Sequence, residues 1–383
     1  MQDRRGIMTT TADRSRRGRA ARGAESRPGR KRSATVSDVA ELAGVSTATV
    51  SRVLNGNYPV AIATRERVLQ AVAKLGYAAN ANARALAGSN TRTIGIVVPE
   101  LVDPFFGYMV RGLEQAAQDS GRLAIIATTN AHPDAELTLI DRMRERRVDA
   151  VILVSGTQVD LPYQRQLVQR AEALEAMGSR LVLCAHPPLT IPSPARSVAY
   201  DNEGGAFAVT EHLIAQGHRR IAFVGGRREL PTIAVRLAGY LRALESRGIE
   251  VDESIIRTEG FGRVAGHAAT QALVAEDTGV TAIFAVNDTI AAGVYDSLHS
   301  AGLRIPADVS VVAYDDTPLA TDLAPKLTTV HVPLEQMGRE ALRIGLAEQD
   351  AFARTPEDGL TLGTYLVHRD SVAPPRSGAT LRE

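Results

Sequence analysis

The sequence of 383 residues contains a single cysteine, Cys184. One thiol cannot form an internal disulfide or a zinc knuckle, and the shortage of cysteine fits a reducing cytoplasm. Cys184 stands in the apolar run LVLCA, which predicts a buried strand residue rather than a reactive thiol. There is also no run of about 18 apolar residues and no apolar stretch near the start, so the sequence predicts neither a transmembrane helix nor a signal peptide.

Motifs for metal, phosphate and acyl chemistry are missing as well. The eight histidines are scattered without ligand spacing, VGGRREL lacks the Lys-Ser/Thr pair of a phosphate-binding loop, and no Gly-x-Ser-x-Gly elbow occurs. These absences predict no metal, no cofactor and no enzyme activity. An enzyme that acts on a nucleoside or sugar is kept as an alternative.

The net charge of +1 hides an asymmetry along the chain. Residues 1–34 carry ten arginines and one lysine against three acidic residues, a net +8, while residues 35–90 carry +2 and the remainder −9. A basic head on an acidic body indicates a polyanionic partner at one end, unless the arginine-rich tail is only solvated. Residues 1–34 are predicted to be a disordered tail, with Met1 or Met8 as the start.

Two short helical patterns follow the tail, in VSDVAELAGVSTATVSRVLNG, residues 36–56. Thr35 and Asp38 have capping-box spacing, Gly44 suits a left-handed helix end, and Ser46 suits the start of the next helix. The periodicity of the first helix points four side chains inward: Val39, Ala40, Leu42 and Ala43.

Two helices of about eight residues cannot bury enough apolar surface alone. TRERVLQAVAKLGY supplies a third helix, with a periodic apolar series of Val68, Leu69, Val72 and Leu75. The result is a helix-turn-helix pattern, in which the second helix enters the major groove of DNA. Its polar side carries the candidate DNA contacts Thr47, Ala48, Thr49, Ser51 and Arg52. Arg52 can donate two hydrogen bonds to guanine; the alternative is a small helical bundle that binds no DNA.

Residues 36–56 and the continuation VLQAVAKLGYAANANARALAGSNTRTIGIVVP closely resemble the lactose-repressor/galactose-repressor family of regulators, and the resemblance extends from residue 35 to about 372. It implies a hinge helix that forms on operator DNA and reads the minor groove through Asn80, Ala83, Arg84 and Leu86. Leu86 would wedge into the central base step, or else pack within a linker. Two departures from the family pattern stand out. Ala79 replaces a proline, so the start of the hinge is expected to be less rigid. Ala61 replaces a serine cap, so the third helix should begin later or fray.

From Thr93 the pattern changes to short apolar strands that alternate with helices, such as TIGIVVP, DAVILVS, TAIFAVN and VSVVAYDD. This alternation predicts parallel sheets with helices on both faces, and two such units in series predict two lobes with a cleft between them. The fold class is therefore a small all-α helix-turn-helix head plus a two-lobed α/β core with two doubly wound parallel sheets, which resembles periplasmic binding proteins. The predicted boundaries are 1–34 for the tail, 35–79 for the head, 80–91 for the hinge, 92–372 for the core and 373–383 for a C-terminal tail.

Ligands of such sheets bind at the carboxyl ends of the strands. Position and family resemblance together give these candidate effector contacts: Asp103, Phe105, Phe106, Asn130, His186, Tyr200, Arg236, Phe261, Asn287 and Asp315. Carboxylate, amide and guanidinium groups beside flat aromatic faces suit a polyhydroxylated ring, so the predicted effector is a carbohydrate. Each residue has a structural alternative: the phenylalanines as core, Arg236 as a solvated helix residue, and the short polar residues as turn or helix caps.

After RLVLC the family usually has an aspartate, whereas this chain has Ala185 followed by His186. An imidazole in place of a carboxylate suggests an anionic effector such as a sugar phosphate, an effector that lacks one hydroxyl, or only a crossover turn.

These observations predict a transcriptional regulator, most simply a repressor, whose homodimer binds a palindromic operator and whose affinity is set by a small effector. Pairing of dimers into tetramers is left open. The alternatives are a regulator with a degenerate cleft governed by a protein partner and, less favoured because of the head, a solute-binding protein.

Overall fold

The computed structural model of this chain describes residues 34–55, 58–77, 91–155, 160–187, 189–347 and 359–376. The chain divides between Asn80 and Ala81 into two units, a helical head and an α/β core. None of the helices in these ranges is long and apolar enough to cross a membrane.

The head consists of α1 (Val36–Ala43), α2 (Thr47–Asn55) and α3 (Ile62–Leu75). The predicted capping box is present: Thr35 Oγ1 accepts from the backbone N–H of Asp38 at 3.4 Å, and the Asp38 carboxylate accepts from that of Thr35 at 2.7 Å. Gly44 ends α1 with φ of 67°, a left-handed conformation that glycine adopts without steric cost. These caps satisfy backbone groups that an eight-residue helix would otherwise leave unpaired.

The apolar core of the head differs in part from the prediction. Its buried members come from all three helices: Val39, Ala40, Ala43, Val50, Val53, Val68 and Ala71. Leu42 is 46% exposed, so its predicted inward position is wrong, and Leu69 and Leu75 of the apolar series in the third helix are exposed as well. Helices this short bury only a narrow stripe, and the flanking positions of the apolar series lie outside it. The third helix begins at Ile62, directly after Ala61, although Ala61 provides no side-chain cap, so the later start expected from this substitution is wrong.

Strands and helices alternate through most of the described core. In chain order they are β1 (Thr93–Val98), α4 (Pro104–Asp119), β2 (Leu123–Thr128), α5 (Pro133–Glu145), β3 (Ala150–Val154), α6 (Leu161–Glu175), β4 (Leu181–Cys184), β5 (Arg196–Tyr200), α7 (Asn202–Ala215), β6 (Ile221–Val224), β7 (Gly226–Arg227), α8 (Pro231–Ser246), β8 (Ile256–Arg257), β9 (Glu259–Gly260), α9 (Gly262–Ala275), β10 (Ala282–Ala285), α10 (Asp288–Ser300), β11 (Ser310–Asp315), α11 (Leu319–Asp322), β12 (Thr328–His331), α12 (Leu334–Leu346), β13 (Leu360–Leu362) and β14 (Tyr365–Val367).

Two six-stranded sheets organise the core, as the alternation predicts. The first has the order β13-β5-β4-β3-β1-β2 and is parallel throughout. The second has the order β14-β12-β11-β10-β6-β8, and β14 alone runs antiparallel to its neighbour. Side chains alternate between the faces of the first sheet: Ile94 and Ile96 pack toward α4 and α12, whereas Val97 packs toward α5 and α6. Cys184 is fully buried in β4, as predicted.

The two lobes are interwoven rather than strictly in series. The chain passes from β5 to α7 at residues 200–202, returns between β12 and α12 at 331–334, and passes again between β13 and β14 at 362–365. Helix α12 packs on α4 and the first sheet although it follows most of the second sheet in sequence. The carboxyl ends of both sheets therefore lie beside three chain crossings, and the site is built there.

Candidate functional site

The second helix of the head directs its apolar side chains inward and its polar ones outward. Val50 and Val53 are buried. The candidate DNA contacts are exposed or half-buried: Thr47, Ala48, Thr49, Ser51 and Arg52. Ser46 Oγ accepts from the backbone N–H of Thr49 at 3.2 Å, which fixes the helix start whose N–H groups would face a phosphate.

Arg52 has an aromatic neighbour that the sequence analysis missed. Its guanidinium carbon lies 5.6 Å from the ring centroid of Tyr58, a residue that is 69% exposed. A cation–π contact of this kind restricts the arginine without neutralising it. The signal was a lone aromatic just beyond the second helix. The predicted hinge contacts Asn80, Ala83, Arg84 and Leu86 lie outside the described residues and stay predictions.

In the core, Arg236 is the centre of a buried polar cluster. It lies on α8 and is only 3% exposed, so the surface alternative for it is wrong. Its Nη2 donates to the Tyr200 hydroxyl and to Asp315 Oδ1, both at 3.0 Å, while Nε donates to Asn202 Oδ1 at 2.9 Å. Nη1 donates to the carbonyl of Val286. A buried guanidinium persists only with such compensation, because an unpaired buried charge is costly.

Asp315 holds its position against backbone preference. It ends β11 with φ of 108°, a conformation that residues with a side chain rarely adopt. Burial raises the pKa of its carboxyl, and the positive charge of Arg236 opposes that rise. Strain of this sort concentrates at functional sites, where surrounding contacts over-determine the geometry.

Tyr314 and Asn202 also belong to the cluster, although the sequence analysis did not select them. The guanidinium carbon of Arg236 lies 3.8 Å from the ring centroid of Tyr314, and the hydroxyl of Tyr314 donates to the backbone carbonyl of Asp201 at 2.7 Å. A Cβ on Gly205 would come within 2.2 Å of that hydroxyl, so glycine is needed there. A tyrosine inside an apolar strand needs a polar partner, which was the available signal.

Three candidates from the first lobe lie at the same place. Asp103 caps α4 by accepting from the N–H of Phe105 at 2.9 Å. Burial raises the pKa of Asp103, partly offset by that hydrogen bond and by the charge of Arg236. Phe105 contacts Phe106 edge to face with centroids 5.3 Å apart, and lies 6.1 Å from Tyr200. The cluster thus pairs acidic and basic groups with aromatic faces.

Among the described residues, no hydrogen bond or ring contact links the remaining candidates to this group. Within the described residues, Asn130 is exposed in a left-handed turn, and Phe261 is 49% exposed at the start of α9. Asn287 caps α10 by accepting from the N–H of Ile290 at 2.9 Å, which is its structural alternative. Asn287 nevertheless follows Val286, whose carbonyl binds Arg236.

His186 is buried and uncharged at neutral pH. Burial lowers its pKa to about 4, against a smaller raising effect of its bond to Pro187. The carbonyl of Pro187 lies 2.6 Å from Nδ1 and can only accept, so Nδ1 carries the proton. Nε2 is then a buried acceptor without a partner among the described residues. The imidazole therefore supplies no positive charge, which removes its support for an anionic effector.

Acidic side chains compensate the positive charge of the cluster. The buried guanidinium of Arg236 donates to Asp315, and its positive charge also stabilises the carboxylate of Asp103. Within the described part of the chain, no group of three or more His, Cys, Asp or Glu could hold a metal ion. The arrangement offers hydrogen bonds and aromatic faces to a ligand but no uncompensated cation.

Two family models match the sequence. Residues 35–80 match the bacterial regulatory proteins of the lacI family, and residues 210–372 match a periplasmic binding protein-like domain. Catabolite control protein A of Priestia megaterium is 36% identical over 311 residues, which cover 81% of this chain and 91% of that protein. The regulator CelR of Thermobifida fusca is 36% identical over 349 residues, which cover 89% and 99%.

Solved structures agree with these relatives. A lac repressor dimer bound to operator and the anti-inducer ONPF superposes with a TM-score of 0.77 at 28% identity, covering 89% of this chain and 100% of that one. A CelR–cellobiose complex gives a TM-score of 0.64 at 34% identity, covering 88% and 99%. A match of this length to such proteins extends over head and core alike.

Proposed function

Since this chain belongs to the lacI family of bacterial regulatory proteins, and is thus a DNA-binding transcriptional regulator rather than an enzyme, we propose that it represses transcription as a homodimer on a palindromic operator under the control of a small effector. Two heads related by a twofold axis would place two recognition helices on two half-sites. The proposed domains are those of the sequence analysis: tails 1–34 and 373–383, head 35–79, hinge 80–91 and core 92–372. The division of the chain after Asn80 supports the boundary between head and hinge.

The buried cluster around Arg236 is the observation that carries the effector proposal. It joins the end of β5, helix α8 and the end of β11, so a ligand there touches both lobes beside a chain crossing. Its compensated charge and its aromatic faces favour a neutral polyhydroxylated ligand over an anion. The complexes of related regulators with cellobiose and with ribose support a sugar. Coupling between effector and operator of this type typically amounts to about 1–3 kcal/mol.

An apolar groove on the core supports the homodimer. It has a volume of about 380 Å³, and its lining combines apolar residues with three polar ones: Pro104, Tyr108, Ala292, Pro318, Leu319, Arg263, Thr289 and Asp322. Val102 is 88% exposed and Val264 is 84% exposed, each close in sequence to a lining residue. A second copy of the chain that covered this groove in a self-complementary interface would also cover these apolar side chains.

Operator selection followed by ligand titration tests the proposal. Random duplex DNA captured by the full-length protein should yield a palindromic site. The affinity for that site, measured by fluorescence anisotropy at fixed salt, should then change with one class among sugars, sugar phosphates and purines. Arg236→Met should abolish the ligand response while leaving selection of the same site intact. Selection of a non-palindromic site would overturn the dimer, and a response only to sugar phosphates would overturn the neutral effector.

A further inference from the structure

The guanidinium of Arg236 is almost fully occupied by the protein itself. Arginine has five N–H donors, and four hydrogen bonds leave Arg236, to Asn202, Val286, Tyr200 and Asp315. One face of the guanidinium also lies against the ring of Tyr314. At most one N–H remains for a ligand, so an effector that binds Arg236 with more than one hydroxyl must displace a partner.

Tyr200 is the partner whose hydroxyl an effector hydroxyl can replace group for group. Asp315 carries the opposite charge, the Val286 carbonyl belongs to the backbone directly after β10, and Asn202 offers an amide oxygen. Tyr200 offers a neutral hydroxyl, and its hydrogen bond joins the last residue of a first-lobe strand to a second-lobe helix. A phenol has a hydroxyl group and a flat ring face. In a sugar complex the ligand supplies the hydroxyl and an aromatic side chain supplies the flat face.

Building on the proposed effector control, we infer that Tyr200 is an internal ligand of Arg236. The hydrogen bond between them holds the two lobes together until an effector hydroxyl takes the place of the Tyr200 hydroxyl. Tyr200 is thereby a positioning residue that sets the effector concentration at which the regulator responds. An effector with a single acceptor for Arg236 gains little, whereas one with two neighbouring hydroxyls can replace the phenol and also use the free N–H.

Replacement of the Tyr200 hydroxyl by an effector also affects the chain crossing at residues 200–202. The carbonyl of Asp201 accepts from Tyr314 at 2.7 Å and from Thr364 at 3.1 Å, and the N–H of Asp201 donates to Leu362 at 3.1 Å. These bonds tie the first crossing to the third, between β13 and β14. Because Arg236 bonds the residues on either side of Asp201, release of Tyr200 loosens the crossing at one end and leaves Asn202 held at the other.

Hydrogen exchange on the ligand-free, full-length protein tests the internal ligand directly. Tyr200→Phe removes only the hydroxyl. Tyr240→Phe is the matched control, because Tyr240 is a buried tyrosine of the same helix as Arg236, and its hydroxyl bonds Ile221 within the second lobe. We expect Tyr200→Phe to speed exchange at the amides of Asp201 and Gly205 by about tenfold, the size expected for loss of one hydrogen bond to a charged group. Equal exchange at these amides in both variants would overturn the inference.

Sugar binding supplies the second readout, with cellobiose, D-ribose and D-glucose as probes in calorimetry. A bound probe should bind Tyr200→Phe about tenfold more tightly than the native protein, because the competing hydrogen bond is gone, and should bind Tyr240→Phe unchanged. Weaker binding would instead make Tyr200 a direct effector contact and refute the internal-ligand role. If no probe binds any of the three proteins while operator binding persists, the proposed sugar effector fails, and hydrogen exchange alone decides the role of Tyr200.

Discussion

Replacement of Asp315 by asparagine should convert the proposed neutral-ligand cleft into one that binds anions, at a cost in stability. The Arg236 and Asp315 side chains are 4% and 5% exposed and 3.0 Å apart. At an effective dielectric constant of about 20, two unit charges at that distance attract by about 5 kcal/mol. Removal of one partner of a buried pair typically costs about 3–5 kcal/mol. Asparagine keeps one acceptor oxygen and tolerates a positive φ better than most residues, so we expect a loss near 3 kcal/mol.

Thermal unfolding with and without inorganic phosphate measures both effects. A loss near 3 kcal/mol lowers the melting temperature by roughly 5–10 °C in a core of this size. Phosphate at about 100 times its dissociation constant would restore about 2.7 kcal/mol in Asp315→Asn and nothing in the native protein. Asp308→Asn is the control, since Asp308 pairs with the exposed Arg304 and Arg376 and should cost under about 1 kcal/mol. Equal losses in both variants, with no phosphate effect, would refute the assignment of Arg236 as a compensated cation.

Three further predictions address other parts of the chain. Because burial lowers the pKa of His186 to about 4, the unfolded state binds more protons below pH 6.5, so acidification from pH 6.5 to 4 should cost about 3 kcal/mol. Urea unfolding at both pH values should show a correspondingly smaller loss in His186→Gln. Arg52→Ala should relax base preference at one operator position by about 1–3 kcal/mol in a selection experiment, and an unchanged preference profile would count against base reading. Val264→Glu should halve the mass measured by sedimentation, whereas Met177→Glu, at an exposed site beyond α6, should leave the mass unchanged.

The elements of the fold were predictable because each one carries a strong local signal. Residue type and spacing alone predict the capping box at Thr35 and the strands β1, β3 and β11. The same signals predict too many buried residues where an apolar series is wider than the stripe that a short helix buries. This is why Leu42 was predicted to be buried although it is exposed. Period alone does not say how wide that stripe is, because its width depends on the neighbouring helices.

The three chain crossings were not predictable in the same way. Nothing local in α12 says that it packs on the first lobe, since a helix pattern fixes the apolar face and not the sheet it covers. The candidate site inherits this limit. Tyr200, Arg236 and Asp315 are far apart in sequence. Tyr200 was selected as the end of a strand, and Arg236 and Asp315 were selected through family resemblance. Asn202 and Tyr314 join the cluster at the crossing at 200–202.

The crossing also explains why a buried arginine is a suitable centre for regulation. An arginine at the surface could change partners without consequence, because water would replace each lost hydrogen bond at little cost. Arg236 is buried, so an unpaired donor is costly, and a ligand that takes more than one N–H must release a protein group. Two of its partners, Tyr200 and Asn202, flank the passage from one lobe to the other. Release of Tyr200 or Asn202 from Arg236 would therefore also change how the lobes are joined, so that ligand binding and lobe geometry would share one free-energy balance.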